Sequence, residues 1–177
     1  MPRLSEKTWK KFKAFGPDGL FDIKTTSSSI DAIRLIKDGD HSCPYITRTD
    51  RDNGIARFVS ARNKKSGCDK AGTITIGLDT QTAFLQPRDY VTGQNIQVVS
   101  GSNLTEYVAF FLLPLLRSQM RAKFNWGGNG ATLGRLMRLQ LMLPVTDNGA
   151  PDYSYMDSYG RLVTLIQLKK QLDSLPL

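Results

Sequence analysis

The stretch "TITIGLDTQTAFLQPRDYVTGQNIQVVS", Thr73 to Ser100, sets the character of the chain. "TITIGL" alternates isoleucine with β-branched threonine, a period of two that predicts a half-buried strand. "TAFLQP" and "NIQVVS" repeat the theme after turn-forming Asp79-Thr80 and after "RDYVTGQ". Dense short strands with turn signals between them predict a sheet-rich domain. Upstream, "GIARFVSA" (Gly54–Ala61) and "LFDIKTT" (Leu20–Thr26, after the "GPDG" turn) read as further strands. "CPYITRTDRDNGI" (Cys43–Ile55) starts as a strand, with Tyr45, Ile46 and β-branched Thr47 and Thr49, and ends on the turn dipeptide Asn53-Gly54.

Helices interrupt this pattern. Trp9, Phe12 and Phe15, three apart with lysines between, fit a short helix or an irregular segment on one edge of the core. Ser28 or Ser29 can cap a short helix through Asp31, Ile33, Leu35 and Ile36, which stops at "KDGD". "NLTE" offers Asn103 as N-cap with Glu106 three residues on, a capping-box pattern. The helix it opens ends in Arg117, Arg121 and Lys123, where cations suit the C-terminal dipole. "NWGGNGATLGR" (Asn125–Arg135) is a Gly-rich connector, and "LMRLQLMLPV" (Leu136–Val145) returns as a strand. Asp152 can cap a last helix with two apolar stripes: Tyr155, Tyr159, Leu162 and Ile166 on one, Leu165, Leu168, Leu172 and Leu175 on the other. Two stripes mean packing on more than one side, part of it against another chain. The expected fold is mixed α/β of the α+β kind: a twisted, mostly antiparallel or mixed sheet flanked by helices, then a C-terminal helix. Residues 1–151 form the domain and 152–177 the docking or dimerisation helix.

The chain has 177 residues, enough for one domain with a real core. Its 24 basic residues outnumber 16 acidic ones, for a net charge of +8. That sign points to a polyanionic partner. The longest apolar run, "YVAFFLLPLL" (Tyr107–Leu116), is too short for a membrane span and holds Pro114. The N-terminus lacks a signal-peptide core. A cytoplasmic protein with no membrane association is expected. Cys43, Cys68 and the single His41 are too few for a standard structural zinc site, so no metal and no cofactor are expected.

No catalytic set emerges. Asp18, Asp22 and Lys24 superficially spell a metal-dependent nuclease pattern, but the acids lie too close in sequence for adjacent strands. The phosphate-loop pattern G-x-x-x-x-G-K-[ST] is absent, as is the Asp/Asn-Pro-Pro-aromatic run of amino-methyltransferases. What remains is a set of basic, amide-bearing turns: Arg48–Asn53, Arg62–Lys70 and Lys123–Arg135. Arginine and asparagine side chains suit bidentate contact with guanine and adenine. Arg48, Thr49, Arg51, Asn53 and Arg62 are therefore candidate base readers. Lys64, Lys65, Lys70, Lys123 and Arg135 are candidate phosphate contacts. A small Mg²⁺-dependent nuclease using Asp18, Asp22 and Lys24, and a non-catalytic RNA-binding protein, are the alternatives.

"WKKFKAFGPDGLFDI", "CPYITRTDRDNGI", "TITIGLDTQTAFLQPRDYVTGQNI" and "LMRLQLMLPVTDNGAPDYSYMDSY" occur in that order between Trp9 and Tyr159. The ordered set resembles a target recognition domain of restriction-modification specificity subunits, of type I systems or their type IIB and IIG relatives. The resemblance implies a non-catalytic reader of a short double-stranded DNA half-site that docks a DNA methyltransferase and, in many members, a restriction subunit. Full specificity subunits of that family carry two such domains joined by long helices. A single domain with a single helix then implies a homodimer, or pairing with a second recognition domain, with docking through Leu165, Leu168, Leu172 and Leu175.

Overall fold

The structure is a computed structural model and describes residues 2–124 and 131–175. Among these residues, nine strands form three sheets. The largest contains β2 (Asp22–Thr25), β5 (Thr73–Gly77), β6 (Thr82–Gln86) and β8 (Ile96–Ser100) in the order β2-β8-β5-β6, all antiparallel. The second joins β3 (Cys43–Ile46), β4 (Ile55–Val59) and β7 (Val91–Thr92) in the order β4-β3-β7. Its β3–β7 pair is parallel, so the antiparallel pattern is mixed here. The third pairs β1 (Trp9–Lys13) with β9 (Gln140–Pro144). The helices are α1 (Glu106–Lys123), the single-turn α2 (Leu133–Leu136) and α3 (Tyr153–Asp173). An α+β fold closing on a C-terminal helix is what the sequence pattern leads one to expect.

β5 shows why the alternation matters. Ile74 and Ile76 face the main core beneath α1, with Leu112, Leu116 and Met120. Its threonines face a polar layer: Thr73 Oγ1 lies 2.9 Å from the Tyr90 hydroxyl, and Gln86 Nε2 donates to Thr75 Oγ1 at 2.9 Å. Both faces are buried, yet the strand keeps its period of two. Burial pushes the Tyr90 phenol well above its usual range, so it stays protonated and available to hydrogen-bond. Asp69, 2% exposed, accepts from Thr26 Oγ1 at 2.6 Å, Ser27 Oγ at 2.8 Å and Ser27 N–H at 3.0 Å. Among the described residues no buried side-chain nitrogen or oxygen lacks a partner, as a polar layer of this kind requires.

Four local expectations change. Trp9 and Phe12 lie on strand β1, because the backbone pairs with β9 from Trp9↔Pro144 to Lys13↔Gln140. Neither serine caps a helix at residues 32–34: Ser29 takes φ +49°, and Ser28 Oγ accepts the Thr92 N–H at 2.8 Å. The segment forms a single 3-10 turn, Ala32–Arg34. Thr105, not Asn103, caps α1, accepting the Val108 N–H at 3.2 Å, while Asn103 serves the Tyr153 hydroxyl. The strand expected over 136–145 begins at Gln140, because Leu133–Leu136 turns as α2 first. Asp152 does cap α3, accepting from Tyr155 N–H at 2.9 Å and from Lys7 Nζ at 2.8 Å.

α3 packs on α1 through its first two turns, with Tyr155 and Met156 buried. The crossing is tight at Gly160: a Cβ there would stand 2.1 Å from the Tyr107 carbonyl oxygen. The packed body of the domain therefore runs through Gly160. Beyond it, residues 161–175 are exposed apart from half-buried Thr164. At 1.5 Å per residue, about 20 Å of helix extends past the contact.

Candidate nucleic-acid interface

Chain order places three connections at one rim. β3 and β7 run in the same direction, with Ile46 beside Thr92. β5 and β8 are antiparallel, with Gly77 opposite Ile96. The turns that follow β3, β5 and β7 therefore meet. Leu78 N–H donates to the Asn95 carbonyl at 3.1 Å. Arg48 Nη1 is ion-paired and hydrogen-bonded to Asp79 Oδ2, and Asn95 Nδ2 reaches the same oxygen at 3.4 Å. Asn53, Gln81 and Asn95 hold positive φ values of +57°, +55° and +61°, typical of tight polar turns.

The end of α1 joins this rim. Arg117 donates through Nε to the Ala83 carbonyl of β6 at 2.9 Å and lies 4.6 Å from the centre of the Phe84 ring. That anchor sets the next turn of the helix beside the β5–β6 connection. A groove of about 420 Å³ results, lined by Asp50, Asp79, Thr80, Gln81, Arg121 and Phe124. Phe124 also borders an adjoining hollow with Lys123, Arg135 and Arg138. Arg121, Lys123, Arg135 and Arg138 thus line two adjoining hollows, with Asp50 and Asp79 on the first, and Asp79 ties Arg48 to its edge. Among the described residues no ion pair engages Arg51, Arg121, Lys123 or Arg138.

Of the residues singled out from sequence, the fold brings together Arg48, Thr49, Arg51, Lys123 and Arg135. Thr49 Oγ1 accepts the Arg51 N–H at 3.3 Å and so shapes the turn itself. Asn53 ties the turn to the free edge of β6: its Nδ2 donates to Leu85 O at 2.8 Å, and its carbonyl accepts from Gln86 Nε2 at 3.0 Å. Arg62, Lys64 and Lys65 leave from the far end of the β3–β4 hairpin, about 16 Å of strand away. There Arg62 pairs with Asp38 at 3.6 Å, and Lys70 pairs with Asp89 at 3.0 Å. The Ser60 hydroxyl and then the Asp40 N–H hold the Asp38 carboxyl below its usual range. The Ala71 N–H and then Lys70 do the same for Asp89. The Gly-rich segment 125–130 lies outside the described residues. Sequence reasoning passed over Arg121, Arg138, Gln81 and the Asp79–Asn95 pair. Arg121 had a sufficient explanation as a helix-end cation, and the others carry no motif.

A second surface lies on α3. Leu165, Leu168, Leu172 and Leu175 are 58%, 50%, 67% and 63% exposed. Their spacing of three, four and three is that of the apolar seam in a two-helix coiled coil. Leu162, Val163 and Ile166 widen the apolar surface. Among the described residues, no three or more His, Cys, Asp or Glu side chains are grouped to hold a metal ion, and no helix is long and apolar enough to cross a membrane. Asp18 sits at φ +60° in the turn before β2, and Asp22 opens β2 on the surface.

The fold is thus a three-sheet scaffold that gathers polar, cationic turns at one rim. The chain belongs to the type I restriction modification DNA specificity domain family, whose model matches residues 6–174. It is 26% identical over 161 residues to the specificity subunit S.BcgI of a type II restriction enzyme from Heyndrickxia coagulans, covering 88% of this chain and 43% of that one. The fold matches that of the S subunit of a type I restriction-modification system from M. genitalium, with a TM-score of 0.65 at 13% identity over 98% of this chain and 43% of that one. It also matches the HsdS subunit from Thermoanaerobacter tengcongensis, with a TM-score of 0.60 at 12% identity over 99% of this chain and 43% of that one. The chain thus spans less than half the length of these relatives.

Proposed function

We propose that this domain recognises one half-site of a double-stranded DNA target for a restriction-modification complex. The reading face is the rim where the turns after β3, β5 and β7 meet the end of α1. Arg48 and Arg51 approach base edges, with Thr49 and Asn53 shaping the turn that carries them. Arg121, Lys123, Arg135 and Arg138 meet phosphates on either side. Arg62, Lys64, Lys65 and Lys70 form a separate basic patch outside this face. The observation that carries the proposal is the convergence of three turns around Asp79 in a chain of the DNA specificity family.

The exposed seam of α3 pairs with the matching helix of a second recognition domain, in the simplest case another copy of this chain. A two-fold pair would read an interrupted palindrome, since protein symmetry is mirrored in the site. A DNA methyltransferase, and in some assemblies a restriction subunit, would act where that pair docks. The chain itself supplies no catalytic group, and its setting is the cytoplasm.

Binding of the purified chain to duplexes selected from a random pool tests the proposal. A selected duplex should bind on the order of a thousandfold more tightly than a scrambled one at physiological salt. Structured RNA should compete no better than scrambled duplex. Equal affinity for all duplexes, or efficient competition by RNA, would refute the reading.

A further inference from the structure

Arg48 carries a carboxylate with it, whereas among the described residues no ion pair engages Arg51, Arg121, Lys123 or Arg138. Its Nη1 is held by Asp79, and the same Asp79 oxygen also accepts from Asn95 Nδ2 at 3.4 Å. The Arg48 Cα lies 3.6 Å from where a Cβ on Gly77 would stand, and Leu78 N–H is bonded to the Asn95 carbonyl at 3.1 Å. The side chains of Arg48 and Asp79 remain 47% and 36% exposed. An exposed ion pair of this kind adds little to stability, so the fold does not depend on it.

The pairing decides what Arg48 can bind. A guanidinium already neutralised by a carboxylate is a poor counterion for phosphate, and the carboxylate repels phosphate directly. With Nη1 engaged, the Nε–H and Nη2–H edge still offers two parallel donors. That fork matches the O6 and N7 acceptors of guanine in the major groove. Thymine and cytosine lack two adjacent acceptors on that edge, and adenine places a donor beside N7. We infer that Asp79 is a positioning residue that, with Asn95, fixes Arg48 so that it reads a guanine, and that the half-site therefore contains a G·C pair at that place. This inference rests on the rim being the DNA-reading face.

The test is selection from a randomised duplex pool by the full chain as wild type, Arg48→Ala, Asp79→Asn and Asn95→Ala, with Arg51→Ala as a same-turn control. The wild type should enrich guanine at one position that Arg48→Ala randomises while leaving the others. Asp79→Asn should weaken preference at that same position by about tenfold, the worth of a well-formed bidentate contact. Asn95→Ala, which keeps the carboxylate, should weaken it less. Arg51→Ala should leave that position intact. Thermal melting of each variant should stay close to wild type, which separates lost positioning from lost folding. The inference is overturned if Asp79→Asn and Asn95→Ala both preserve the preference, or erode every position equally. It is also overturned if Arg48→Ala weakens all sequences alike with a shallower salt dependence, as a phosphate contact would. A wild type that enriches no sequence refutes the DNA-reading face itself. A wild type that enriches a site unaffected by Arg48→Ala refutes this inference and leaves that face standing.

Discussion

Gly160→Ala tests whether α3 is seated on α1 as closely as the structure places it. The new Cβ would stand 2.1 Å from Tyr107 O, 2.8 Å from Tyr107 C and 3.2 Å from Tyr107 Cα. Ordinary contact begins near 3.4 Å. The obstructing atoms are backbone, so no rotamer change relieves the clash, and the helices must part by about an ångström. Overpacking of this kind costs about 1–3 kcal/mol. Alanine recovers about 1 kcal/mol of helix propensity over glycine. The net loss is then up to about 2 kcal/mol, a fall in melting temperature of up to about 8 °C for a chain this size. Gly134→Ala is the control. It lies in α2 with nothing within 4 Å of its Cβ position, so propensity acts unopposed and the change should stabilise slightly. The assay is thermal and urea unfolding of both variants beside wild type. If Gly160→Ala stabilises as Gly134→Ala does, the crossing is looser than described.

Three further outcomes follow from the same structure. Lys123→Ala should weaken binding to every duplex alike and lower the slope of log affinity against log salt by about 0.9, as loss of one phosphate contact requires; equilibrium titrations at several salt concentrations measure it. Leu168→Asp should abolish self-association in sedimentation experiments while leaving the monomer's melting temperature unchanged, because Leu168 is 50% exposed in a stretch of helix that extends from the domain. Asp152→Ala should cost about 1–2 kcal/mol through loss of the α3 cap, read by urea unfolding. Burial pushes the Asp152 carboxyl up, but the Lys7 hydrogen bond, the Tyr155 N–H and the Lys7 charge together bring it below its usual value. Its folded-state pKa is therefore lowered. The stability it contributes is present above the unfolded carboxylate range and disappears as pH falls through the folded value, so wild type and Asp152→Ala should converge in acid.

Elements with local signatures were legible in the sequence. The Ile/Thr alternation of Thr73–Gly77, the strand opening at Cys43 and the Asp152 cap each depend on neighbours in the chain, and each is present, though the Cys43 strand stops at Ile46, short of Thr47 and Thr49. Elements defined by distant partners were not. β1 is a strand because of β9, more than a hundred residues on, and its three-residue aromatic spacing mimics a helix. β7 is two residues held by the parallel edge of β3, too short to leave a pattern. Asn103 and Thr105 are both competent caps, and the choice falls to Thr105, whose hydroxyl also reaches Asp157 on α3. The rim shows the same division. Arg48 and Arg51 are visible as polar turn residues, but topology decides which turns share a face. It separates Arg62, Lys64 and Lys65 from them by the length of the hairpin, and it brings in Arg121 through the Arg117 anchor on β6. Asn53 has the side chain of an adenine reader, yet it is committed to Leu85.

The most direct test of the reading face compares two charge reversals of equal size on the full chain: Arg121→Glu with Lys123→Glu, and Lys64→Glu with Lys65→Glu. Each pair changes the net charge by the same amount, so the long-range field is matched and location is what differs. Affinity for the selected duplex is measured at physiological salt. The first pair should lower it on the order of a hundredfold, from lost phosphate contacts and introduced repulsion, and the second by no more than a few-fold. Equal losses from the two pairs, or a greater loss from Lys64 and Lys65, would show that duplex DNA does not sit on the rim formed by the turns after β3, β5 and β7.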